Sequence, residues 1–481
     1  MPDVSASVMC RGNERDVFKS FWNKYSGITD NRSMMLNQNA DEFEQSDRMD
    51  ILSSLPDLRG KDVVDIGAGI GRFTTSMAQT ARHVLSTDFI ESFIAKNRER
   101  NEKLGNVSFQ VGDAVNLKLE EESVDMVFTN WLMMYLQDEE VIQFLTNALR
   151  WLRPDGYLHL RESCSEPSTT KNKTGSMHKA MEPNPTSYRF SSQYINLLKT
   201  LRHRDGNNKL WRLDPLWACS VPTYVNHSGN WRQVHWLVRK VEATDDEQVV
   251  PSLENCMQLF SDTWRQKQFG VDKVTDDKKL SWTDRILSRA IDNANCNLSM
   301  GSTVITFNPR HLAYHVEVNA HLISEKYSCN VWAVETKPYY YRTSLTKANS
   351  SKDTRVRFTW TETLLRAVDY WNGRNAHFHA FVGCETFANA PDAFHSLKKI
   401  LKADARVILL EPVSSVEDEE RLRQAIAASG LKNVVLLDVT TDANAAIVEY
   451  EASVTEPIVE EAPVIKGSTN ETRWFLVQAV V

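Results

Sequence analysis

Three carboxylates in the first quarter of the chain, Asp65, Asp88 and Asp113, follow one another at the ends of short apolar runs, and a Gly67-Ala68-Gly69-Ile70-Gly71 string follows the first. A G-x-G-x-G turn lets backbone pass close to a ligand where a Cβ would collide. On its own, such a turn suits the pyrophosphate of a dinucleotide equally well. The acids sharpen the reading. Asp65, just before the first glycine, would attract an ammonium. Asp88 lies 23 residues further on, where a carboxylate can take both hydroxyls of a ribose. Asp113, between Gly112 and Ala114, can receive an exocyclic adenine amine. Ammonium, ribose and adenine together describe S-adenosylmethionine (AdoMet), with S-adenosylhomocysteine (AdoHcy) as product. Phe89 and Ile90 beside Asp88, Ala114 beside Asp113, and Asn130 further on complete the predicted cofactor contacts. A nicotinamide cofactor is the competing ligand. Taken singly, Asp88 also fits a solvated strand end and Asp113 a helix N-cap.

For these acids to converge, each must end a strand of one parallel sheet. Val63–Ile66, His83–Asp88, Val107–Val111, Val124–Thr129 and Tyr157–Leu160 read as strands. Helices are predicted over Arg72–Ala81, Ser92–Leu104 and Val141–Leu152. In the last of these, Val141, Ile142, Leu145, Leu149 and Leu152 recur at helical spacing. Arg153-Pro154-Asp155-Gly156 then supplies a turn. The alternation predicts an α/β, Rossmann-like domain with helices on both faces of the sheet. Glycine turn, ribose acid and adenine acid in that order are typical of class I AdoMet-dependent methyltransferases.

Residues 241–255 are acidic and polar, contain Pro251, and read as a linker between an active domain (1–240) and a second domain (256–481). In the second half, Trp264, Trp282 and Ile286 fall in helical patterns. Strands are expected at Thr303–Phe307, Asn330–Val334, Ala376–Val382 and Arg406–Leu410, with a helix over Ala393–Leu401. The string from Leu397 to Leu410 parallels that from Ala148 to Leu160, and Asp404 falls where Asp155 does. This suggests an old duplication. In the second copy, Asn308-Pro309-Arg310-His311-Leu312 replaces the glycine turn, so it is expected to be degenerate and to bind no AdoMet.

Composition narrows the class. The net charge is -7, from 56 Lys+Arg against 63 Asp+Glu, which argues against nucleic-acid binding. No apolar run approaches the ~18 residues of a membrane span, and the N-terminus lacks a secretory pattern. The seven cysteines form no C-x-x-C pair, so neither a disulfide framework nor a zinc site is expected. His377-x-His379 has no acid or cysteine cluster beside it, and no metal is expected there. The reading is a cytoplasmic, monomeric protein.

Phe21-Trp22, Met34–Asn37, Gly67–Thr74, Asp88–Ser92, Asn130–Leu136 and Arg161–Cys164 together resemble the phosphoethanolamine N-methyltransferases of plants and nematodes over about residues 15–240. The resemblance implies methylation of the amine of phosphoethanolamine on the way to phosphocholine and phosphatidylcholine. Plant members carry two active domains. One nematode type keeps an active N-terminal domain and adds the first methyl, and this chain looks like that type. The alternative is a methyltransferase for another small amine, with the C-terminal half a regulatory or binding module.

The implied substrate pairs a phosphate dianion with an ammonium, so its site needs a proton route and an anion clamp. The resemblance places the amine near Asn130–Tyr135. Trp131 would offer a ring face or its backbone. Tyr135, where related single-domain enzymes carry a catalytic histidine, would assist proton transfer. Tyr25, or Phe21-Trp22, would close over the site. Asn184-Pro185-Thr186-Ser187-Tyr188-Arg189 resembles the family's N-P-T-x-Y-R element, which makes Tyr188 and Arg189 the predicted phosphate ligands. Ser163 and Arg161 are second choices, with Tyr194, Tyr224 and His227 weaker still. The Ser165–Ser176 run preceding this element would serve as a lid.

Overall fold

The protein was studied as a computed structural model. It describes residues 16–25, 27, 30–164, 186–244, 249–268, 282–294, 296–307, 318–453 and 472–481. The predicted lid run, Asn184-Pro185 and the Asn308–Leu312 turn lie outside the described residues. The chain divides into two compact units, Met1–Arg265 and Gln266–Val481. The first unit therefore takes in the segment read as a linker, and β8 (Gln233–Glu242) already runs into it.

In the first unit, β1 (Asp62–Ile66), β2 (His83–Asp88), β3 (Val107–Val111), β4 (Val124–Thr129) and β5 (Leu152–Ser163) are parallel, in the order β3-β2-β1-β4-β5. β6 (Arg202–Arg204) and β7 (Leu210–Ser220) precede β8, which adds antiparallel to β5; β7 in turn pairs with β8. β1 is apolar because it lies between two strands: Val64 faces Leu85 on β2 and Val127 on β4, and Val64 and Val127 are fully buried. Burying such a side chain contributes about 1.5–3 kcal/mol. The strand order reverses between β1 and β4. Open α/β sheets bind ligands at such a switch point, beyond the carboxyl ends of the strands.

Two expectations are corrected. The helix after the glycine turn spans only Thr74–Ala78, because the glycines hold the chain in left-handed turns as far as Gly71. The turn expected at Arg153–Gly156 lies inside β5 rather than before it. β5 begins at Leu152, and the irregularity appears as a register shift against β4 between Val124 and Met126, with Asp155 at φ 64°. The helix Asp138–Trp151 starts on three acids, which suit the positive end of its dipole.

The second unit repeats the plan. β9 (Thr303–Phe307), β10 (Asn330–Glu335), β11 (Val356–Trp360), β12 (Phe378–Cys384) and β13 (Leu401–Val413) run in the order β11-β10-β9-β12-β13. β14 (Lys432–Asp438) and β15 (Arg473–Val480) follow; β15 lies antiparallel to β13 and β14 pairs with β15. This is the order of the first unit strand for strand. Individual positions correspond too: buried Glu335 ends β10 as buried Asp88 ends β2, and Glu385 after β12 has φ 51° where Trp131 after β4 has φ 58°. The predicted helix over Ala393–Leu401 is instead two short turns, Pro391–Phe394 and Leu397–Ile400, with Leu401 already in β13.

Candidate active site

Past Ile66 the chain turns through Gly67, Gly69 and Gly71, at φ 72°, 54° and 80°. A side chain in this left-handed region costs about 1–2 kcal/mol. Space is also short. A Cβ on Gly67 would stand 3.1 Å from Leu132 Cδ1, and one on Gly71 would stand 2.2 Å from Asn97 Oδ1. Asn97 is fully buried and bonded to Ser86, so it has no room to retreat. Gly71→Ala is therefore expected to lower stability by about 2–3 kcal/mol. A calorimetric Tm equal to that of the parent would show that the turn relaxes freely.

Two carboxylates flank the turn. Asp65 is 2% exposed, and its Oδ2 accepts from Thr74 Oγ1 at 2.5 Å. Asp88 is 6% exposed; it accepts from the Gly69 N–H on Oδ2 and the Ile90 N–H on Oδ1, both at 2.9 Å. Burial pushes Asp65 up to about 7, helped by the nearby Asp88 and opposed by Thr74. Burial pushes Asp88 up to about 6 against its backbone bonds. Each carboxyl holds its proton more tightly folded than unfolded, where the ordinary value is 3.8. The folded state then carries more protons between those values, so these two groups make stability fall as pH rises from about 4 to 7. A ligand ammonium placed on ionised Asp65 offsets that loss. AdoHcy is therefore expected to raise Tm more at about pH 8 than at about pH 5.5. Equal rises at both would show that neither acid titrates with the ligand.

The cleft these groups line holds about 770 Å³ of space, the part open to solvent included. Asp65, Gly67, Gly69, Asp88, Phe89, Asn130, Trp131 and Tyr135 all line it. Trp22 and Met34 from the N-terminal segment, and Arg72, line it as well. A glycine turn without room for side chains, two buried acids and an aromatic rim together fit AdoMet.

Other predicted residues are placed differently. Gly71 shapes the turn from behind. Asp113 is committed locally, accepting from Val115 N at 3.1 Å and Asn116 Nδ2 at 2.8 Å, with Ala114 buried beside it. Ile90 and Tyr25 pack in one apolar cluster with Ile70 and Phe93. Tyr135 is 8% exposed and meets Phe18 and Trp22 edge-on. Trp131 is fixed rather than open: Nε1–H donates to Gln233 Oε1 at 2.8 Å, and the Arg161 guanidinium covers one ring face at 3.5 Å. Ser163 accepts from Gln233 Nε2 at 3.0 Å. Tyr188 joins the cluster of Phe18, Met134 and Tyr135.

The two arginines are turned inward. Arg161 is fully buried, bonded to Asp47 and Asn130. Arg189 is 3% exposed; it donates to Asp138 and to the carbonyls of Met133 and Leu136 at 2.7–2.8 Å. Its fork grips backbone, so the structure does not direct it into the cleft. Asp47, Arg72 and Glu162 were assigned no role in the site from sequence, although Arg72 and Glu162 lie within strings that carry the family resemblance. Asp47 bridges Arg72 and Arg161 beneath the cleft. Glu162 accepts from the N–H groups of Leu132, Met133 and Met134.

A glycine turn between two buried acids, at the switch point of a 3-2-1-4-5 sheet, defines a class I AdoMet-dependent methyltransferase. A family model described as a methyltransferase domain matches residues 63–156. The chain is 52% identical, over 88% of its own length and 88% of the relative's, to phosphoethanolamine N-methyltransferase 1 of Caenorhabditis elegans. A wheat (Triticum aestivum) phosphoethanolamine N-methyltransferase 1 is 37% identical over 50% of this chain and 48% of its own. A crystal structure of Haemonchus contortus phosphoethanolamine N-methyltransferase 1, in complex with phosphoethanolamine and S-adenosylhomocysteine, aligns over 97% of this chain and 98% of that one, at 52% identity and a TM-score of 0.87. The chain belongs to the phosphoethanolamine N-methyltransferases.

Proposed function

We propose that the first unit alone carries the reaction and that the second is a diverged copy without a working cofactor site. The chain is an enzyme. It N-methylates phosphoethanolamine with AdoMet to give phosphomonomethylethanolamine, the first step of the phosphobase route to phosphocholine. The observation that carries this reading is the meeting, in one cleft, of the acid-flanked glycine turn and the Asn130–Tyr135 rim.

Asp65 would hold the ammonium of AdoMet and Asp88 its ribose, with Phe89 and Asn130 beside them. The bound cofactor supplies an electrophilic methyl group. The substrate nitrogen must lose a proton before its lone pair can accept that methyl, so an acceptor has to stand at the rim. Tyr135 is our candidate, since it lines the cleft beside Trp131. The Tyr188 hydroxyl is our candidate for the phosphate, since its ring packs in the cluster that holds Tyr135. Arg189 acts at one remove, through the backbone it grips.

No described helix is long and apolar enough to cross a membrane. Buried thiols such as Cys164 and Cys219 suit a reducing compartment, and we read the protein as cytoplasmic.

Product mass tests the proposal. The purified chain is incubated with AdoMet and phosphoethanolamine, with free ethanolamine and the mono- and dimethylated phosphobases in parallel. Consumption of phosphoethanolamine alone, giving a monomethylated product, is expected. Equal turnover of free ethanolamine would remove the phosphate clamp and favour a small-amine methyltransferase.

A further inference from the structure

We propose that Glu162 and Arg189 are opposed jaws that hold the backbone of Trp131–Leu136 and so aim Tyr135 into the cleft. They are positioning residues, and the inference rests on the methylation site assigned above.

The geometry is two-sided. The 3-10 turn Met133–Tyr135 follows β4, and the first N–H groups of any helical turn lack partners within it. Glu162, 0% exposed on β5, takes three in succession: Leu132 N at 3.1 Å and Met133 N at 2.9 Å on Oε1, and Met134 N at 3.2 Å on Oε2. Arg189 takes the carbonyls on the other side, Met133 O at 2.8 Å through Nη1 and Leu136 O at 2.7 Å through Nη2. Ser187 N adds Met134 O at 2.8 Å, and Arg161 O receives Trp131 N at 2.7 Å. Trp131 is held at φ 58° within this frame. A left-handed non-glycine residue persists only where its surroundings over-determine it. Side chains of this one stretch, Trp131, Leu132 and Tyr135, line the cleft.

Only an ionised carboxylate accepts all three N–H groups without presenting a proton of its own. Burial works against that, pushing Glu162 up to about 7, while the three N–H groups and the Arg189 charge pull it back. The second unit carries one bond of the same kind: Glu411, 1% exposed on β13, accepts from Phe387 N after β12 at 3.0 Å.

Glu162→Gln puts an amide N–H2 against backbone donors, and Arg189→Lys keeps the charge but removes the fork. With the full chain, kcat for phosphoethanolamine should fall about 10²-fold in either variant, the loss typical of a misplaced reacting group. AdoHcy affinity should stay within about twofold, because Asp65, Asp88 and the glycines are untouched. The double variant should lose no more than the worse single one, since both hold the same turn. Amide hydrogen exchange at Leu132–Met134 should quicken in Glu162→Gln while β1 stays protected.

Unchanged exchange, or quickened exchange with kcat intact, would overturn the proposal. So would kcat, AdoHcy affinity and Tm falling together, because that describes general loosening. Should the parent enzyme leave phosphoethanolamine unmethylated, the functional reading fails, and exchange alone decides the clamp: protection lost upholds it and protection kept overturns it.

Discussion

Replacing Asp88 with alanine is expected to weaken AdoHcy binding about 10²–10³-fold, because the ribose role proposed for this buried carboxylate would lose two hydrogen bonds at once. Both oxygens of Asp88 are already aimed by the N–H groups of Gly69 and Ile90, so the carboxylate is preorganised. Asp113→Ala is the contrast. Its carboxylate is engaged by Val115 and Asn116, and less than about tenfold should be lost, one hydrogen bond's worth. Titration calorimetry on both variants checks the pair. Equal losses would mean that Asp113 turns toward the ligand when it binds.

The second large effect lies under the cleft. Asp47 and Arg161 are fully buried and Arg72 is 7% exposed, and Asp47 bonds to both arginines. Removing the shared carboxylate leaves buried cations uncompensated, and breaking such a pair costs about 3–5 kcal/mol. Asp47→Ala should therefore lower Tm by on the order of 10 °C. Asp57→Ala, at an exposed pair with Arg59, should leave Tm unchanged. A similar Tm for both variants would show that the buried network adds nothing net.

How much of this was legible depended on range. Alternating apolar runs placed β1 to β4 within a residue or two, and the acids at their ends needed only local spacing. Asp65 and Asp88 follow from that, as does the second unit, whose strand order repeats the first. Pro154 and Gly156 read as a stop, and the helix does end just before them at Trp151; β5 nevertheless starts at Leu152 and carries them as an irregularity against β4, with pairing on both sides only from Tyr157 on. Arg189 was read by its chemistry, which suits phosphate. Its actual acceptors include backbone carbonyls of Met133 and Leu136, more than 50 residues away, and main-chain partners leave no mark in sequence. Asp47 with Arg161, 114 residues apart, was hidden for the same reason. Glu162 sits between two residues that were considered, Arg161 and Ser163, and was passed over because a carboxylate bonded only to N–H groups has no partner residue type to search for.

The central claim is that one working cofactor site exists and lies in the first unit. Titration of the full chain with AdoHcy tests it most directly. The account predicts one AdoHcy per chain, with affinity kept in Glu335→Ala and lowered about 10²–10³-fold in Asp88→Ala. Two per chain, or one whose affinity is unchanged in Asp88→Ala, would contradict it.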